Sequence, residues 1–193
     1  MTGNMPLPST DAAAWLMIID MQRIFGEPVS EWATPDYASA AAGIRRLLHT
    51  FEARICVTRF LPPEKPTGVW IAYYEQWPFA LDPENAPLYE LSDEFASIAA
   101  TTVDRTTFGK WDAETDRALG HPGEIVLAGV TTDCCVLSTA LAAADAGVHV
   151  MVAADACAGV TQADHQRALD AMALYSPLID IAEVDTILAG RAR

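Results

Sequence analysis

The chain is poor in basic residues, and this scarcity excludes several classes of partner. Its 193 residues include 12 lysines and arginines against 26 aspartates and glutamates, which gives a formal net charge of −14. No basic run is longer than Arg45-Arg46. A surface of this sign repels nucleic acid and anionic membranes. We therefore expect a small molecule or another protein as the partner, with no nucleic acid and no membrane.

Cysteines and long apolar runs are also scarce. The four cysteines, Cys56, Cys134, Cys135 and Cys157, show no CxxC or cysteine–histidine spacing, so neither a disulfide scaffold nor a structural zinc site is predicted. No apolar run is long enough to cross a membrane, and the first ten residues lack the basic and apolar regions of a secretory signal. We expect a cytoplasmic protein with reduced thiols.

Apolar segments of strand length alternate along the chain with amphipathic segments of helix length. The predicted strands are 14–19, 54–58, 101–103, 124–129, 148–153 and 178–184, and the predicted helices are 37–51, 113–119, 135–146 and 163–175. This order predicts an α/β fold, a doubly wound, mostly parallel six-stranded sheet with helices on both faces. With 51% apolar residues, the whole of 1–193 is expected to form a single domain.

Residues 60–93 interrupt this alternation with a segment rich in proline and aromatic residues. The segment is too long for a simple connection. Its aromatic density argues against a disordered loop, since disordered segments contain few aromatic residues. We expect an ordered insertion that walls a pocket or forms a subunit interface.

Three predicted strands are followed by chemically reactive side chains, at the sheet edge where α/β proteins bind ligands. Asp20 follows the first strand, Arg105 and Lys110 follow the third, and Cys135 follows the fourth, in the first turn of a helix. The dipole of that helix is expected to lower the pKa of the Cys135 thiol below its ordinary value of about 8.5. The alternative is that Cys135 is a small buried hydrophobic residue, as most free cysteines are.

An acid, a cation and a thiol at one sheet edge are the components of a nucleophilic site. The carboxylate can take the thiol proton and return it to a leaving amine, while the cation keeps Asp20 ionised. Each residue also has a structural interpretation. Asp20 can cap the following helix, and Arg105 and Lys110 can be ordinary surface charges.

Three segments, 18–22 (IIDMQ), 129–136 (GVTTDCCV) and 153–156 (AADA), resemble the isochorismatase-like cysteine hydrolases. That superfamily includes nicotinamidases and N-carbamoylsarcosine amidohydrolases. The resemblance covers nearly the whole chain in order, and it implies the isochorismatase-like form of the α/β fold. It also implies that Cys135, the second of the two adjacent cysteines, is the nucleophile and that Asp20 is the catalytic aspartate.

Further site features follow from the same resemblance. It implies a cis peptide between Val130 and Thr131 and an oxyanion hole that uses the backbone N–H groups of Thr131 and Cys135. The third catalytic residue of the family is usually a lysine. Aligning residues 105–111 (RTTFGKW) puts Arg105 at that position, and Lys110 remains the alternative because a lysine is the more tunable partner.

The family's nicotinamidases carry metal-ligating histidines after the second strand, where this chain has residues 58–61 (TRFL). None of His49, His121, His149 and His165 falls in that segment. We therefore expect no metal and no cofactor.

The resemblance implies a metal-free cysteine hydrolase that cleaves a C–N bond of a small amide, ureido or carbamoyl compound through a thioester on Cys135. The residues expected to line its pocket are Gln22, Phe25, Tyr73, Trp77 and Trp111. One alternative is hydrolysis of the vinyl ether of isochorismate, which the family performs without a cysteine at this position. Another is a thiol redox or binding protein that uses the Cys134-Cys135 pair. Family resemblance further implies a homodimer or homotetramer.

Overall fold

The computed structural model describes residues 14–98 and 100–191. The strands are β1 (Trp15–Ile19), β2 (Ile55–Phe60), β3 (Thr101–Arg105), β4 (Glu124–Val130), β5 (His149–Ala158) and β6 (Ile179–Ala182). The helices are α1 (Arg23–Gly26), α2 (Tyr37–Phe51), α3 (Trp70–Gln76), α4 (Asp93–Ala96), α5 (Ala113–Ala118), α6 (Leu137–Asp145), α7 (Gln162–Ala173) and α8 (Val184–Arg191). None of the helices in the described ranges is both long and apolar enough to span a membrane. The expectation about a secretory signal concerns the first ten residues, which lie outside those ranges.

The six strands form one parallel sheet in the order β3-β2-β1-β4-β5-β6. The predicted doubly wound α/β fold is therefore confirmed. Helices α1, α3, α4 and α8 were not predicted, and strand β5 extends furthest beyond its predicted end. Strand β5 continues to Ala158, and helix α8 was not predicted because it buries only Val184 and Ile187, too few apolar residues to give a periodic signal.

The sheet has an apolar core on each face. Leu16 and Ile18 of β1 pack into the core that includes α2 and α8, whereas Met17 and Ile19 pack into the core that includes α6 and α7. Successive residues of a strand point to opposite faces, so a strand covered on both sides reads as a continuous apolar run. Helices on both faces follow from this pattern.

The aromatic segment after β2 is ordered and contains α3 and two 3₁₀ turns, Pro78–Leu81 and Pro83–Tyr89. Gln22 anchors it to the sheet. The side-chain amide of Gln22 donates to the carbonyl oxygens of Phe60, at 3.0 Å, and Tyr89, at 2.5 Å, and its oxygen accepts from the N–H of Phe60 at 2.8 Å. Gln22 is fully buried by these contacts. The expectation that Gln22 binds substrate is therefore corrected, because its polar atoms are used inside the protein.

The strand order reverses between β1 and β4, the switch point where doubly wound sheets bind their ligands. Ile19 and Gly129 are register partners at this end of the two strands. A Cβ atom on Gly129, whose φ is +125°, would lie 2.2 Å from the carbonyl oxygen of Ile19. Glycine is therefore required for the strand ends to come this close. The close approach brings Asp20 and the turn after β4 side by side.

Candidate active site

Asp20 lies immediately after β1, in a fully buried position. Its φ of +49° falls in the left-handed region, which is uncommon for a residue other than glycine. Thr58 of β2 fixes this conformation from two sides. The N–H of Asp20 donates to Thr58 Oγ1 at 3.1 Å, and the Thr58 hydroxyl donates to Asp20 Oδ1 at 2.6 Å. The second carboxylate oxygen, Oδ2, is left to face a cation.

That cation is Lys110, whose ammonium lies 3.0 Å from Oδ2 of Asp20. Both side chains are fully buried. The ammonium also donates to the carbonyl oxygens of Thr107, at 2.7 Å, and Phe108, at 3.0 Å. Two backbone carbonyls and one carboxylate therefore surround the buried charge. The loop before Lys110 folds around its charge.

Cys135 lies in a π-helical turn, Thr132–Val136, between β4 and α6. The hydroxyl of Thr139, one turn further along, donates to the carbonyl oxygen of Cys135 at 2.6 Å. The same hydroxyl accepts from the backbone N–H of Lys110 at 3.0 Å. One threonine thus connects the backbone that carries the thiol to the backbone that carries the cation.

The pKa of the Cys135 thiol is raised well above its ordinary value. Burial is the main cause, and the charge of Asp20 together with its hydrogen bond to the thiol adds to it, while Lys110 acts in the opposite direction. The expected lowering of this pKa by a helix dipole is therefore wrong. The thiol is desolvated in a turn ahead of the α-helix, and burial outweighs the dipole. In the free protein Cys135 is a neutral thiol next to a carboxylate that can accept its proton.

This raised pKa predicts slow alkylation of Cys135 by iodoacetamide at pH 7 in the ligand-free protein. Because only the thiolate reacts, the rate is expected to rise about tenfold per pH unit up to about pH 9. Timed mass spectrometry of the peptide that contains Cys135 measures this rate. A rate that no longer changes between about pH 7 and 9 would mean that the thiol is already ionised, contrary to the direction given above.

A cavity of about 240 Å³ opens beside the thiol. Cys135, Cys134 and Thr131 line it, and the peptide between Val130 and Thr131 is cis. Six aromatic residues form much of its wall, namely Phe25, Trp32, Phe60, Tyr73, Trp77 and Phe108. Asp20 and Lys110 are not part of this lining and lie buried behind the thiol.

Three of the residues expected in the pocket wall, Phe25, Tyr73 and Trp77, line the cavity. Trp111 does not. It is buried in the core on the α6 and α7 face of the sheet, because it immediately follows Lys110, whose own side chain points to the site. The sequence alone does not show whether an aromatic residue lies in a pocket wall or in the core.

Arg105 is also outside the site. Its guanidinium donates to both carboxylate oxygens of Asp112, at 2.9 and 3.0 Å, and to Glu114 at 3.2 Å and Thr115 at 3.1 Å. This pairing raises the pKa of Arg105 and is the main cause that lowers the pKa of Asp112 to about 2. The position expected for Arg105 beside Asp20 is therefore corrected: Lys110 lies there. Arg105 instead fastens the start of α5 to β3.

We expect Arg105→Gln to leave kcat/KM within about threefold of the original value, because the guanidinium contacts neither the cavity nor Asp20. The variant loses a partly exposed ion pair, so its free energy of unfolding should fall by roughly 1 kcal/mol or less. Steady-state kinetics and urea unfolding test both expectations. A loss of about a hundredfold in kcat with the same unfolding midpoint would put Arg105 back into the catalytic set.

Two supporting residues were not anticipated from the sequence, although each has a signal. Thr58 is an uncharged polar residue in an otherwise apolar part of β2, and polar groups buried in strands need a partner. Thr139 follows Cys135 by four residues and therefore lies on the same side of the helical turn. Six further residues of the cavity lining were also missed, namely Glu31, Trp32, Ala33, Phe60, Phe108 and Val160.

Within 14–98 and 100–191, no group of three or more His, Cys, Asp or Glu side chains is arranged to hold a metal ion. The chemistry available at the site is that of a thiol, a carboxylate and an ammonium group.

Comparison with known proteins identifies the family of the chain. The family model for the isochorismatase domain matches residues 14–183. Isochorismatase domain-containing protein 2 of Xenopus laevis is 28% identical over 160 residues, which are 81% of this chain and 66% of that protein. The match therefore spans slightly less than two thirds of this relative's length.

Solved structures with the same fold include two hydrolases of low sequence identity. A cysteine hydrolase from Pseudomonas syringae pv. phaseolicola 1448A superposes with a TM-score of 0.83 at 17% identity, covering 97% of this chain and 96% of the other. The N-carbamoylsarcosine amidase from Thermoplasma acidophilum superposes with a TM-score of 0.69 at 20% identity, covering 89% and 96%. The structural similarities show the fold, and the family model that matches most of the chain shows the family. The chain belongs to the isochorismatase-like hydrolase family.

Proposed function

We propose that this protein is a metal-free cysteine hydrolase that cleaves a C–N bond of a small amide, ureido or carbamoyl compound. The observation that carries the proposal is the position of Cys135. This residue lines the cavity, and its thiol lies beside the buried Asp20–Lys110 pair. A nucleophile with an adjacent base, itself oriented by a third group, is the arrangement used in covalent catalysis.

In the first half-reaction the Cys135 sulfur attacks the carbonyl carbon while Asp20 takes the thiol proton. The carbonyl π electrons move to oxygen, and backbone N–H groups of Thr131 and Cys135 are proposed to stabilise that charge. The C–N bond then breaks, Asp20 gives its proton to the leaving nitrogen, and the amine or ammonia departs. The acyl group remains on sulfur as a thioester.

In the second half-reaction a water molecule attacks the thioester, and Asp20 accepts a proton from it. The C–S bond breaks, the carboxylic or carbamic acid leaves, and the sulfur regains the proton from Asp20. The raised pKa of Cys135 suits this cycle, because the proton needs to be removed only while the new C–S bond forms.

Lys110 acts through Asp20 in this mechanism. It lies outside the cavity lining and contacts the carboxylate at 3.0 Å, so it is a positioning residue rather than one that touches substrate. Its charge faces Asp20 Oδ2 and holds the carboxylate in place beside the thiol. The Thr58 hydroxyl fixes the other carboxylate oxygen.

Amide cleavage is favoured over the two alternatives by the chemistry of the site. Hydrolysis of a vinyl ether needs a proton donor and no nucleophile, which leaves the thiol beside a carboxylate without a role. A redox role for the Cys134-Cys135 pair is disfavoured because burial and Asp133 raise the pKa of Cys134 to about 11. The amidase among the proteins of the same fold also supports C–N cleavage.

The test is release of ammonia or amine from a panel of small amides, ureides and carbamoyl compounds, with chelator present, for the original protein and Cys135→Ala. Turnover that needs the thiol and ignores chelator supports the proposal. Turnover of isochorismate that survives in Cys135→Ala, with no amide hydrolysed, would overturn it.

A further inference from the structure

The cavity beside Cys135 contains a single charged residue, Glu31, which lies at its exposed rim. No lysine, arginine or histidine belongs to the cavity lining. Within the described part of the chain, Glu31 forms no salt bridge with a basic side chain. No basic side chain of the described residues therefore pairs with this negative charge, which acts on a ligand that enters the cavity.

A second carboxylate lies directly behind the lining. Asp133 Oδ1 accepts the N–H of Val160 at 3.0 Å, and Oδ2 accepts the thiol of Cys134 at 3.6 Å. Val160 and Cys134 both line the cavity. The basic group beside this carboxylate is His165, which hydrogen-bonds Thr132 at 2.8 Å. Burial lowers the pKa of His165, so this imidazole is neutral at pH 7 and does not cancel the charge of Asp133.

The positive charge of Lys110 does not offset the negative charges of Glu31 and Asp133. The ammonium of Lys110 lies 5.2 Å from the centroid of the Phe60 ring, whose residue lines the cavity. Its charge is matched by Asp20 at 3.0 Å, so the buried pair is neutral as a unit. Among residues 14–98 and 100–191, Glu31 and Asp133 thus remain without a basic partner near the cavity, on a chain whose formal net charge is −14.

The aromatic wall of the cavity also favours a positively charged ligand. Trp32 follows Glu31 in the chain, and its ring centroid lies 6.0 Å from that of Tyr73 and 6.3 Å from that of Trp77. All three rings belong to cavity-lining residues. The faces of aromatic rings carry negative potential and attract cations, most strongly in tryptophan.

We propose that the cavity selects a small amide that carries a positive charge distant from its carbonyl, with Glu31 as the specificity-determining residue. This inference rests on the proposed function, since it places the carbonyl at Cys135 and the cationic end toward the rim. The chemical class is a planar or compact amide with an ammonium or similar group. A neutral isostere is a weaker ligand, and an anionic one is excluded because no basic residue of the lining can pair with it.

Binding to the full-length Cys135→Ala protein tests this without any need for turnover. The probes are three benzamides of similar size that differ in their para substituent: 4-(aminomethyl)benzamide, 4-ethylbenzamide and 4-carboxybenzamide. Isothermal titration calorimetry at low salt is expected to show the cationic probe binding at least about fivefold more tightly than the neutral one, and the anionic probe more weakly still. Raising the ionic strength to about 0.3 M should shrink the difference, because Glu31 is exposed to solvent.

The matched variants are Glu31→Gln and Glu52→Gln, each combined with Cys135→Ala. Both remove one negative charge, but Glu52 lies after α2, at the opposite end of the sheet from the cavity. The cation preference is expected to fall to about twofold or less in Glu31→Gln and to persist in Glu52→Gln. Equal binding of the three probes, absence of millimolar binding for all of them, or the same preference in both variants would each overturn the proposal.

The outcomes also separate this inference from the function. If the cationic probe binds preferentially but the unmodified protein does not hydrolyse it or any other amide, the charge selectivity stands and the amidase assignment fails. If amides are hydrolysed with no preference for the cationic member, the assignment stands and the role of Glu31 is overturned.

Discussion

Replacing Cys135 by alanine is expected to lower kcat for amide hydrolysis by at least about 10³-fold, because the mechanism then lacks the atom that forms the thioester. The fold should survive. The side chain of Cys135 is small and buried, and its removal costs roughly 1 kcal/mol of the free energy of unfolding. Ammonia release under saturating substrate measures the first effect, and urea unfolding measures the second.

The adjacent cysteine provides the matched control. Cys134 also lines the cavity, but it is only half-buried, and its thiol faces Asp133 rather than Asp20. Cys134→Ala is expected to retain turnover within about tenfold of the original protein. If Cys134→Ala loses as much activity as Cys135→Ala, or if Cys135→Ala retains most of it, the assignment of the nucleophile is wrong.

Replacing Lys110 by methionine is expected to have the largest effect on stability. Methionine is similar in length, but Asp20 would be left as a buried carboxylate without its counter-charge, which typically costs 3–5 kcal/mol when one member of a buried pair is removed. Folding stabilities are only about 5–15 kcal/mol, so the unfolding midpoint should shift strongly. Activity should fall by about 10²-fold or more, because the carboxylate loses the group that holds it.

A double variant separates the two consequences of losing Lys110. Combining Lys110→Met with Asp20→Asn removes both charges, and most of the lost free energy of unfolding is expected to return, since replacing a buried pair by neutral groups is often nearly neutral. Activity should not return, because no base remains beside the thiol. If the double variant is as unstable as Lys110→Met, the 3.0 Å contact is not the cause of the instability.

The sequence predicts the fold well because the fold depends on local patterns. Continuous apolar runs mark the strands buried on both faces, and the order of runs and amphipathic helices leaves few alternatives for the sheet. Asp20 and Cys135 were found in the same way, since both follow strands that meet at one sheet edge.

The choice between Arg105 and Lys110 could not be made from spacing. It depends on the loop before Lys110, which turns so that the carbonyl oxygens of Thr107 and Phe108 surround the ammonium. It also depends on Asp112 and Glu114, which hold Arg105 near the surface. Such contacts are set by tertiary packing. Aligning the sequence to a family pattern does not reveal them.

The predictions for two further side chains were wrong because the sequence does not show how deeply they are buried. The Cys135 thiol was expected to ionise easily because it was placed in the first turn of a helix, but burial beside Asp20 dominates its pKa. Gln22 was expected in the pocket because it follows Asp20 closely, but its amide satisfies backbone groups of Phe60 and Tyr89. In both cases the environment of the side chain decides its role, and the sequence shows only its position.

The central claim is that Cys135 becomes acylated during turnover. The most direct measurement is rapid acid quenching of the protein with a hydrolysable amide, followed by mass spectrometry of its proteolytic peptides. The account predicts a mass increase equal to the acyl group on the peptide that carries residues 134 and 135, assigned to Cys135 by fragmentation and absent from Cys135→Ala. Turnover without any adduct under single-turnover conditions, or an adduct on Cys134, would contradict it.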